Sequence, residues 1–306
     1  MRVLLFPGQG SQFVGMGRDL HQAHPAARDL LDRADRILGT PLTRLMFEGP
    51  EEELRATRNA QPAILAHSLA VWAILEPRWG AETFVAAGHS LGEYSAHVVA
   101  GTLSFEDALR LVRRRGELMQ AAGEASAGAM AAILGSDRET VEAVCAETQG
   151  LVVPANLNAP NQVVISGERA AVRAALETLG ARGARRVVEL KVSGAFHSPL
   201  MAPASEGLAQ ALADVALTDA RCAVYANVTA EPVTEESRIR GLLVEQLLKP
   251  VLWEPTLRKL IALDEPAFFE IGPGQVLKGL LRATDRSLSC RSLGTAEEVL
   301  AFLDEV

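Results

Sequence analysis

Hydrophobic and polar positions along this chain form two alternating patterns. Short apolar runs, typical of buried strands, are followed by longer segments with apolar residues at helical spacing. Strands are predicted in this way at residues 2–6, 82–87, 223–227 and 267–271. Helices are predicted at residues 26–38, 61–75, 93–100, 104–121, 205–212, 240–248, 255–262 and 275–283. Strands that alternate with helices predict an α/β fold, in which a parallel sheet is covered on both faces.

The middle of the chain follows a different order. Strands are predicted at residues 127–134, 151–156, 162–166 and 185–192, and helices at residues 138–147 and 168–179. This β-α-β-β-α-β order is typical of a ferredoxin-like fold. We therefore predict a small subdomain at residues 125–193, inserted into a large subdomain that residues 1–124 and 194–306 form together.

A serine lies where the second predicted strand meets its helix. Ser90 stands between Gly88 and Gly92 in the sequence Gly-His-Ser-Leu-Gly, which is the G-x-S-x-G pattern of a nucleophile elbow. The sharp turn exposes the hydroxyl, and the N-terminus of the following helix offers unpaired N–H groups to a developing oxyanion. The pattern predicts that Ser90 is a nucleophile.

A glycine-rich turn at residues 7–12 follows the first predicted strand. It lacks the Lys-Ser/Thr pair of a P-loop and the spacing of G-x-G-x-x-G, which argues against phosphate binding. We expect this turn to present backbone N–H groups at the end of the strand.

A serine nucleophile needs a base, and histidine is the usual one near neutral pH. His197 follows the last predicted strand of the small subdomain, where the chain returns to the large one. We therefore expect it on a wall of the cleft, as the base. The other five histidines have other predicted places: His21 and His24 on the surface, His67 in the core, His89 lining the site, and His97 about 10 Å from Ser90 along its helix. No acidic residue lies in a diagnostic motif, so a backbone carbonyl or an amide side chain stays open as the group that orients the base.

Composition limits the partners and the compartment. The chain has 306 residues, 48% of them hydrophobic, and its 30 basic and 38 acidic side chains give a net charge of −8. This balance argues against binding nucleic acid or an anionic membrane through an overall basic surface. Three dispersed cysteines suggest neither a disulfide framework nor a zinc site. No signal peptide and no apolar run of about 18 residues is recognisable, so we expect a cytoplasmic protein.

Short motifs occur in one order along nearly the whole chain. They are FPGQGSQ at residues 6–12, QPA at 61–63, GHSLGEY at 88–94, RG and MQ at 115–120, ANLNAP at 155–160, GAFHS at 194–198 and EIGPG at 270–274. In sequence and order they resemble the malonyl-CoA:acyl carrier protein transacylases. The resemblance implies a hydrolase-like large subdomain with a central parallel sheet, and a ferredoxin-like small subdomain.

The resemblance also implies roles for individual residues. These are the acyl-carrying nucleophile for Ser90, the base for His197, an oxyanion hole for the backbone N–H groups of Gln9 and Leu91, support of the histidine for Gln246, and lining of the site for Asn158 and His89.

Two further residues bear on which acyl group is accepted. Malonyl differs from acetyl by a free carboxylate, which a guanidinium can hold through two parallel hydrogen bonds. By composition Arg113, Arg114 and Arg115 all fit a solvated helix face, but the family motif singles out Arg115.

Phe196 bears on the size of the acyl group. In related polyketide-type domains, the sequence Ala-Phe-His at this position occurs in enzymes that accept malonyl, and Ala-Ser-His tends to occur in those that accept methylmalonyl. A preference of this kind is worth about 1–3 kcal/mol.

The expected function is therefore malonyl transfer from malonyl-CoA to the phosphopantetheine thiol of holo-acyl carrier protein, without a metal or a cofactor of the enzyme's own. A freestanding acyltransferase for a polyketide synthase, a serine thioesterase and a non-catalytic carrier-docking subunit are the alternatives. The carrier is typically acidic, so a local basic patch is expected near the cleft, and its candidates are Arg113, Arg114, Arg182, Arg185 and Arg186. The oligomeric state and the physiological carrier stay open.

Overall fold

The computed structural model describes residues 1–305. Its strands are β1 (Arg2–Phe6), β2 (Phe84–Gly88), β3 (Gly128–Leu134), β4 (Val152–Ala159), β5 (Gln162–Glu168), β6 (Arg186–Glu189), β7 (Val224–Tyr225), β8 (Pro232–Val233), β9 (Ala267–Ile271) and β10 (Cys290–Leu293). Its helices are α1 (Arg18–Ala23), α2 (Pro25–Leu38), α3 (Leu42–Glu48), α4 (Glu51–Arg55), α5 (Thr57–Trp79), α6 (Gly92–Val99), α7 (Phe105–Ala125), α8 (Arg138–Glu147), α9 (Arg169–Ala181), α10 (Ala202–Ala213), α11 (Glu236–Glu245), α12 (Trp253–Ile261), α13 (Val276–Thr284) and α14 (Ala296–Glu305).

The larger sheet has six strands in the order β10-β9-β1-β2-β7-β8. Its strands run parallel except β8, which pairs antiparallel with β7. Strand β1 lies near the middle, with Leu4 opposite Ala86 on one side and Phe269 on the other. Its residues Val3 to Phe6 are fully buried, because helices cover both faces of a parallel sheet. The predicted α/β class is confirmed.

The smaller sheet has four antiparallel strands in the order β4-β5-β3-β6. Apolar residues of α8 and α9 form a separate core against it. The predicted β-α-β-β-α-β order is therefore confirmed, while the subdomain boundaries at residues 125 and 193 stay predictions. Strand β6 ends at Glu189, although the sequence predicted a strand to residue 192. Residues 190–192 leave the sheet and line the cavities described below.

The edge of the smaller sheet is tied to the larger unit by backbone hydrogen bonds. Val251, which precedes α12, donates to the carbonyl of Ala155 and accepts from the N–H of Leu157, both at 2.9 Å. The side chain of Asn156 lies between these two residues on β4 and faces the cavity of the site. The bridge therefore sets the position of the small sheet relative to the candidate site.

Several predicted boundaries were wrong in informative ways. Helix α5 spans residues 57–79 rather than 61–75 and contains Pro62 and Pro77. Residues 60–72 are all buried, and this burial outweighs the unfavourable helix propensity of Pro62. Helix α11 ends at Glu245, although the sequence predicted a helix to residue 248. The sequence predicted no element for β10 or α14. Within residues 1–305, none of the helices is both long and apolar enough to cross a membrane.

Candidate active site

The serine turn is built by close backbone contact between β2 and α6. Ser90 has φ 50°, a left-handed conformation that a residue other than glycine adopts at a cost. A Cβ on Gly88 would lie 1.9 Å from the carbonyl carbon of Gly92, and one on Gly92 would lie 2.0 Å from the carbonyl oxygen of Phe6. Only glycine fits at both positions, so the G-x-S-x-G spacing is required by the packing of α6 against β1 and β2.

Asn227 holds this turn from the neighbouring strand. Its Oδ1 accepts a hydrogen bond from the backbone N–H of Ser90 at 2.7 Å, and its Nδ2 donates to the carbonyl of Gly88, also at 2.7 Å. Sequence reasoning missed this residue. The signal was its place just after β7, because the carboxyl ends of adjacent parallel strands meet at one edge of the sheet.

His197 faces the serine hydroxyl. Its Nε2 lies 2.9 Å from Ser90 Oγ, and its Nδ1 lies 2.7 Å from the backbone carbonyl of Gln246. A carbonyl can only accept, so Nδ1 carries the proton and Nε2 is free to accept the serine proton. Burial, and then the charge of Arg115, lower the pKa of His197 to about 3. The imidazole is therefore neutral at physiological pH, as a base must be.

The carbonyl that orients the histidine is available because α11 stops one residue earlier. Gln246 is the C-cap of α11, and the last carbonyls of a helix have no partner within it. The group that orients His197 is therefore a backbone carbonyl, one of the two alternatives that the sequence left open.

The side chain of Gln246 connects three parts of the site. Its Nε2 donates to the backbone carbonyl of Ser90 at 3.0 Å and to Oε2 of Glu93 at 2.6 Å. Its Oε1 accepts from Nη2 of Arg115 at 2.8 Å. Because both ends of the amide have charged partners, the orientation of the amide is determined.

Arg115 lies behind the serine on α7, with only 1% of its surface exposed. Its Nη1 donates to Oε1 of Gln61 at 2.8 Å, and its Nη2 reaches Ser90 Oγ at 3.1 Å in addition to Gln246. Burial lowers the pKa of this guanidinium from its usual value. Among residues 1–305, no carboxylate lies within ion-pair distance of Arg115, so the site holds a buried cation whose contacts are neutral groups.

A cavity of about 110 Å³ opens in front of these groups. Polar groups and thioether or apolar side chains share its lining: Gln9, His89, Ser90, Leu91, Arg115, Met119, Met130, Asn156, Leu190, Val192, Phe196 and His197. The backbone N–H groups of Gln9 and Leu91 donate to no other group in the described part of the chain, so both are available to an oxyanion at this position.

A larger groove of about 460 Å³ continues from the cavity, with which it shares Gln9, Leu190 and Val192. Its lining also includes Phe13, Glu51, Leu54, Arg55 and Lys191, and Arg55 forms an ion pair with Glu51. The cavity at the serine is thus continuous with a groove that carries both apolar and charged side chains.

The remaining predicted residues lie at different distances from the serine. Phe196 and His89 line the cavity. Asn158 does not line it: its Oδ1 lies 2.8 Å from Nε2 of His89, while Asn156 occupies the position in the wall. A break in the alternation along β4 explains this difference. Residues two apart point to the same face only where a strand is regular, and the register of β4 shifts between Pro154 and Asn156 and again between Leu157 and Ala159.

Histidines and cysteines outside this cluster have separate surroundings. His67 is fully buried in α5, as the sequence predicted, and burial lowers its pKa to about 4. His97 lies 4.0 Å from Glu93 on the same helix. The three cysteines are free thiols. Within residues 1–305, no group of three or more His, Cys, Asp or Glu side chains could hold a metal ion.

The fold and the site are those of an α/β protein that presents a serine at a strand–helix turn to a histidine. The family model for the acyl transferase domain matches residues 3–301. The chain is 48% identical over 298 residues to the malonyl CoA-acyl carrier protein transacylase of Bacillus subtilis, covering 96% of this chain and 94% of the relative.

Solved structures agree with these sequence matches. An acyl-carrier-protein-S-malonyltransferase from Bartonella henselae superposes with a TM-score of 0.95 at 42% identity, covering 99% of this chain and 98% of that one. A malonyl-transacylase solved in complex with a type II polyketide synthase acyl-carrier protein superposes with a TM-score of 0.94 at 39% identity, covering 100% and 99%. The chain belongs to the acyl transferase domain family.

Proposed function

We propose that this protein transfers the malonyl group of malonyl-CoA to the phosphopantetheine thiol of acyl carrier protein for fatty-acid synthesis, through a malonyl ester on Ser90. The observation that carries the proposal is the buried guanidinium of Arg115, which lies 3.1 Å from the serine hydroxyl without a carboxylate partner. A site for neutral acyl groups has no use for such a cation. The names of the relatives, which are malonyl transacylases, support the same substrate.

In the first half-reaction, Ser90 Oγ attacks the thioester carbonyl of malonyl-CoA while His197 Nε2 takes its proton. The negative charge that develops on the carbonyl oxygen is stabilised by the N–H groups of Gln9 and Leu91. The carbonyl of Gln246 stabilises the imidazolium. The carbon–sulfur bond then breaks, and the CoA thiolate takes the proton from His197.

In the second half-reaction, the thiol of the carrier's phosphopantetheine gives its proton to His197 and attacks the malonyl ester. Ser90 leaves with that proton, and the enzyme returns to its starting state. Arg115 holds the malonyl carboxylate in both halves, which keeps the acyl group in one orientation. No cofactor of the enzyme's own takes part, because phosphopantetheine belongs to the acceptor.

We propose the groove past Gln9 and Val192 as the route of the pantetheine arm in both halves. Lys191 lines this groove and has no carboxylate within ion-pair distance among residues 1–305, so it is the cation available to a phosphate of the arm, whereas Arg55 is paired with Glu51. Among the candidates for a carrier-binding patch, Arg182 and Arg114 lie near the carboxylates of Glu147 and Glu117. Arg113 is half-buried and donates to Asn59 at 2.7 Å. The best remaining candidates are therefore Arg185 and Arg186 of the small subdomain.

The test is the intact mass of the protein after incubation with malonyl-CoA, followed by a chase with holo-acyl carrier protein. A malonyl adduct that persists without the carrier and moves to its thiol on addition supports the proposal. Ser90→Ala is the control and should show no adduct. Release of free malonate without a carrier would contradict the proposal and indicate a thioesterase.

A polyketide carrier is the second candidate acceptor, because one structural neighbour was solved with the acyl-carrier protein of a type II polyketide synthase. The chase should therefore be run with both kinds of holo-carrier in competition. A preference for the fatty-acid carrier supports the proposed role, and a preference for the polyketide carrier supports this alternative.

A further inference from the structure

Glu93 is a buried carboxylate that the proposed chemistry does not use. It lies in the first turn of α6, three residues after the serine, with 1% of its surface exposed. Its Oε2 accepts from Gln246 Nε2 at 2.6 Å and from the backbone N–H of Asn227 at 3.2 Å. Both residues in turn hold the backbone of Ser90. The carboxylate of Glu93 is thus connected to the backbone of Ser90 through two hydrogen-bonded residues, Gln246 and Asn227.

The same carboxylate is one amide group away from Arg115. Gln246 donates to Glu93 with its nitrogen and accepts from Arg115 with its oxygen, so the amide lies between the two charges. In the empty site Glu93 is the nearest group that can balance the buried guanidinium. A malonyl group on Ser90 would bring a second carboxylate to that guanidinium. Two carboxylates near one buried cation disfavour each other's ionised forms.

We propose that Glu93 is a positioning and specificity residue: it is the counter-charge of Arg115 in the empty enzyme, and it becomes protonated when the malonyl carboxylate takes that place. This inference rests on the proposed function of the same site. It predicts that malonyl loading, unlike acetyl loading, raises the fraction of Glu93 that carries a proton and is therefore coupled to proton uptake near neutral pH. A carboxyl oxygen of Glu93 receives the proton from solvent.

The surroundings of Glu93 leave it as the group that titrates near neutral pH. Burial raises the pKa of Glu93 to about 7. Its charged neighbour from α7 is Arg115, and its titratable neighbours on α6 are Tyr94 and His97, with pKa values of about 12 and about 3. The residues after β7 and α11 present the amides of Asn227 and Gln246 to Glu93.

The measurement is the ratio of kcat/KM for loading of malonyl-CoA to that of acetyl-CoA, between pH 6 and pH 8.5. His197, the oxyanion hole and the CoA moiety act on both substrates, so their pH dependence cancels in the ratio. The malonyl carboxylate is ionised throughout. We expect the ratio to fall about tenfold as pH rises and Glu93 ionises, which corresponds to a rise of about one unit in the pKa of Glu93 when the malonyl carboxylate is present.

Glu93→Gln tests the assignment, because the amide keeps an oxygen that can accept from Gln246 but carries no charge. In this variant the ratio should stay at its low-pH value across the range. Glu270→Gln is the matched control. Glu270 is also buried and has a pKa raised to about 7 by burial, but it accepts from the N–H groups of Leu277 and Lys278 at the start of α13. It should leave the pH dependence of the ratio intact.

The outcomes separate this inference from the proposed function. A ratio that does not change with pH in the wild-type protein overturns the inference, and this measurement does not depend on whether the variant folds. A pH dependence of the ratio that persists in Glu93→Gln also overturns it. Failure of malonyl-CoA to acylate Ser90 at all would instead overturn the proposed function.

Discussion

Replacement of Arg115 by alanine gives the sharpest test of the site. The guanidinium would meet the malonyl carboxylate with two charge-assisted hydrogen bonds, each worth about 1.5–3 kcal/mol. Their loss should lower kcat/KM for malonyl-CoA by about 4 kcal/mol, or roughly a thousandfold, relative to acetyl-CoA. Loading of acetyl-CoA should change much less, since acetyl has no carboxylate to lose.

The same substitution also affects stability. Arg115 donates to Oε1 of Gln61 and to Oε1 of Gln246 at 2.8 Å each, and its removal leaves both oxygens buried without a donor. Each such oxygen costs about 1–3 kcal/mol, so the melting temperature should fall. The ratio of the two loading rates on one preparation is unaffected by the folded fraction, which makes the ratio the right quantity to measure.

The assay is rapid-quench acylation followed by intact-mass measurement, with malonyl-CoA and acetyl-CoA in separate and competing reactions. Arg114→Ala is the matched control, since Arg114 is the preceding residue on α7 with an exposed side chain near Glu117. Its ratio should stay within about twofold of wild type, as expected for an exposed residue. If Arg115→Ala kept its preference for malonyl, the cation would have no part in substrate choice and the proposed function would lose its main support.

Three further outcomes follow from the geometry. Phe196→Ser should raise the loading of methylmalonyl relative to malonyl by about tenfold, because the ring forms part of the cavity wall and discrimination of one methyl branch is worth about 1–3 kcal/mol. The two substrates are offered in competition and the adducts are measured by intact mass. An unchanged ratio would show that the ring does not exclude the methyl branch. Gly88→Ala should prevent soluble folding or labelling of Ser90, because the new Cβ would lie 1.9 Å from the backbone of Gly92. Gly279→Ala on α13 is the control, since a Cβ there meets open space. In thermal melts it should be neutral or stabilise the protein by about 0.5–1 kcal/mol. The rate of acetyl loading should stay constant from pH 8 down to pH 5.5, because the pKa of His197 is lowered to about 3 and the base stays neutral. A rate that falls to half near pH 6.5 would show instead that His197 has the pKa of an unperturbed histidine.

Local sequence determined those features whose physical cause lies within a few residues. The elbow is one, because Gly88 and Gly92 flank Ser90 at a spacing that the strand–helix turn itself requires. The cap of α7 is another: Ser104 accepts from the N–H of Asp107 at 3.0 Å, the contact typical of a serine at a helix N-cap. The order of strands and helices likewise predicted both sheets, because a strand or helix that is buried on one or two faces carries apolar residues at the spacing of its own repeat.

Elements at the margins of the fold were beyond this reasoning. Strand β10 pairs only with β9 at the edge of the larger sheet, and it is four residues long. So short a segment, with Arg291 and Ser292 at its centre, has no hydrophobic pattern that would predict a strand. The long helix α5 was underestimated at both ends because its first and last turns contain exposed polar residues and, at the C-terminal end, Pro77.

Only the tertiary structure decided which groups surround the serine. Asn227 and Gln246 lie 137 and 156 residues from Ser90 along the chain. No pattern marked Asn227, and only the family resemblance singled out Gln246, without showing which of its groups contact Ser90, Glu93 and Arg115. Both residues arrive beside the serine because β7 pairs beside β2 and because α11 ends one residue before Gln246. The partner of Glu93 was likewise hidden, since a carboxylate in a first helical turn is ordinarily explained by the helix dipole. Short-range order can be read from spacing, whereas hydrogen bonds between distant segments depend on how the whole chain packs.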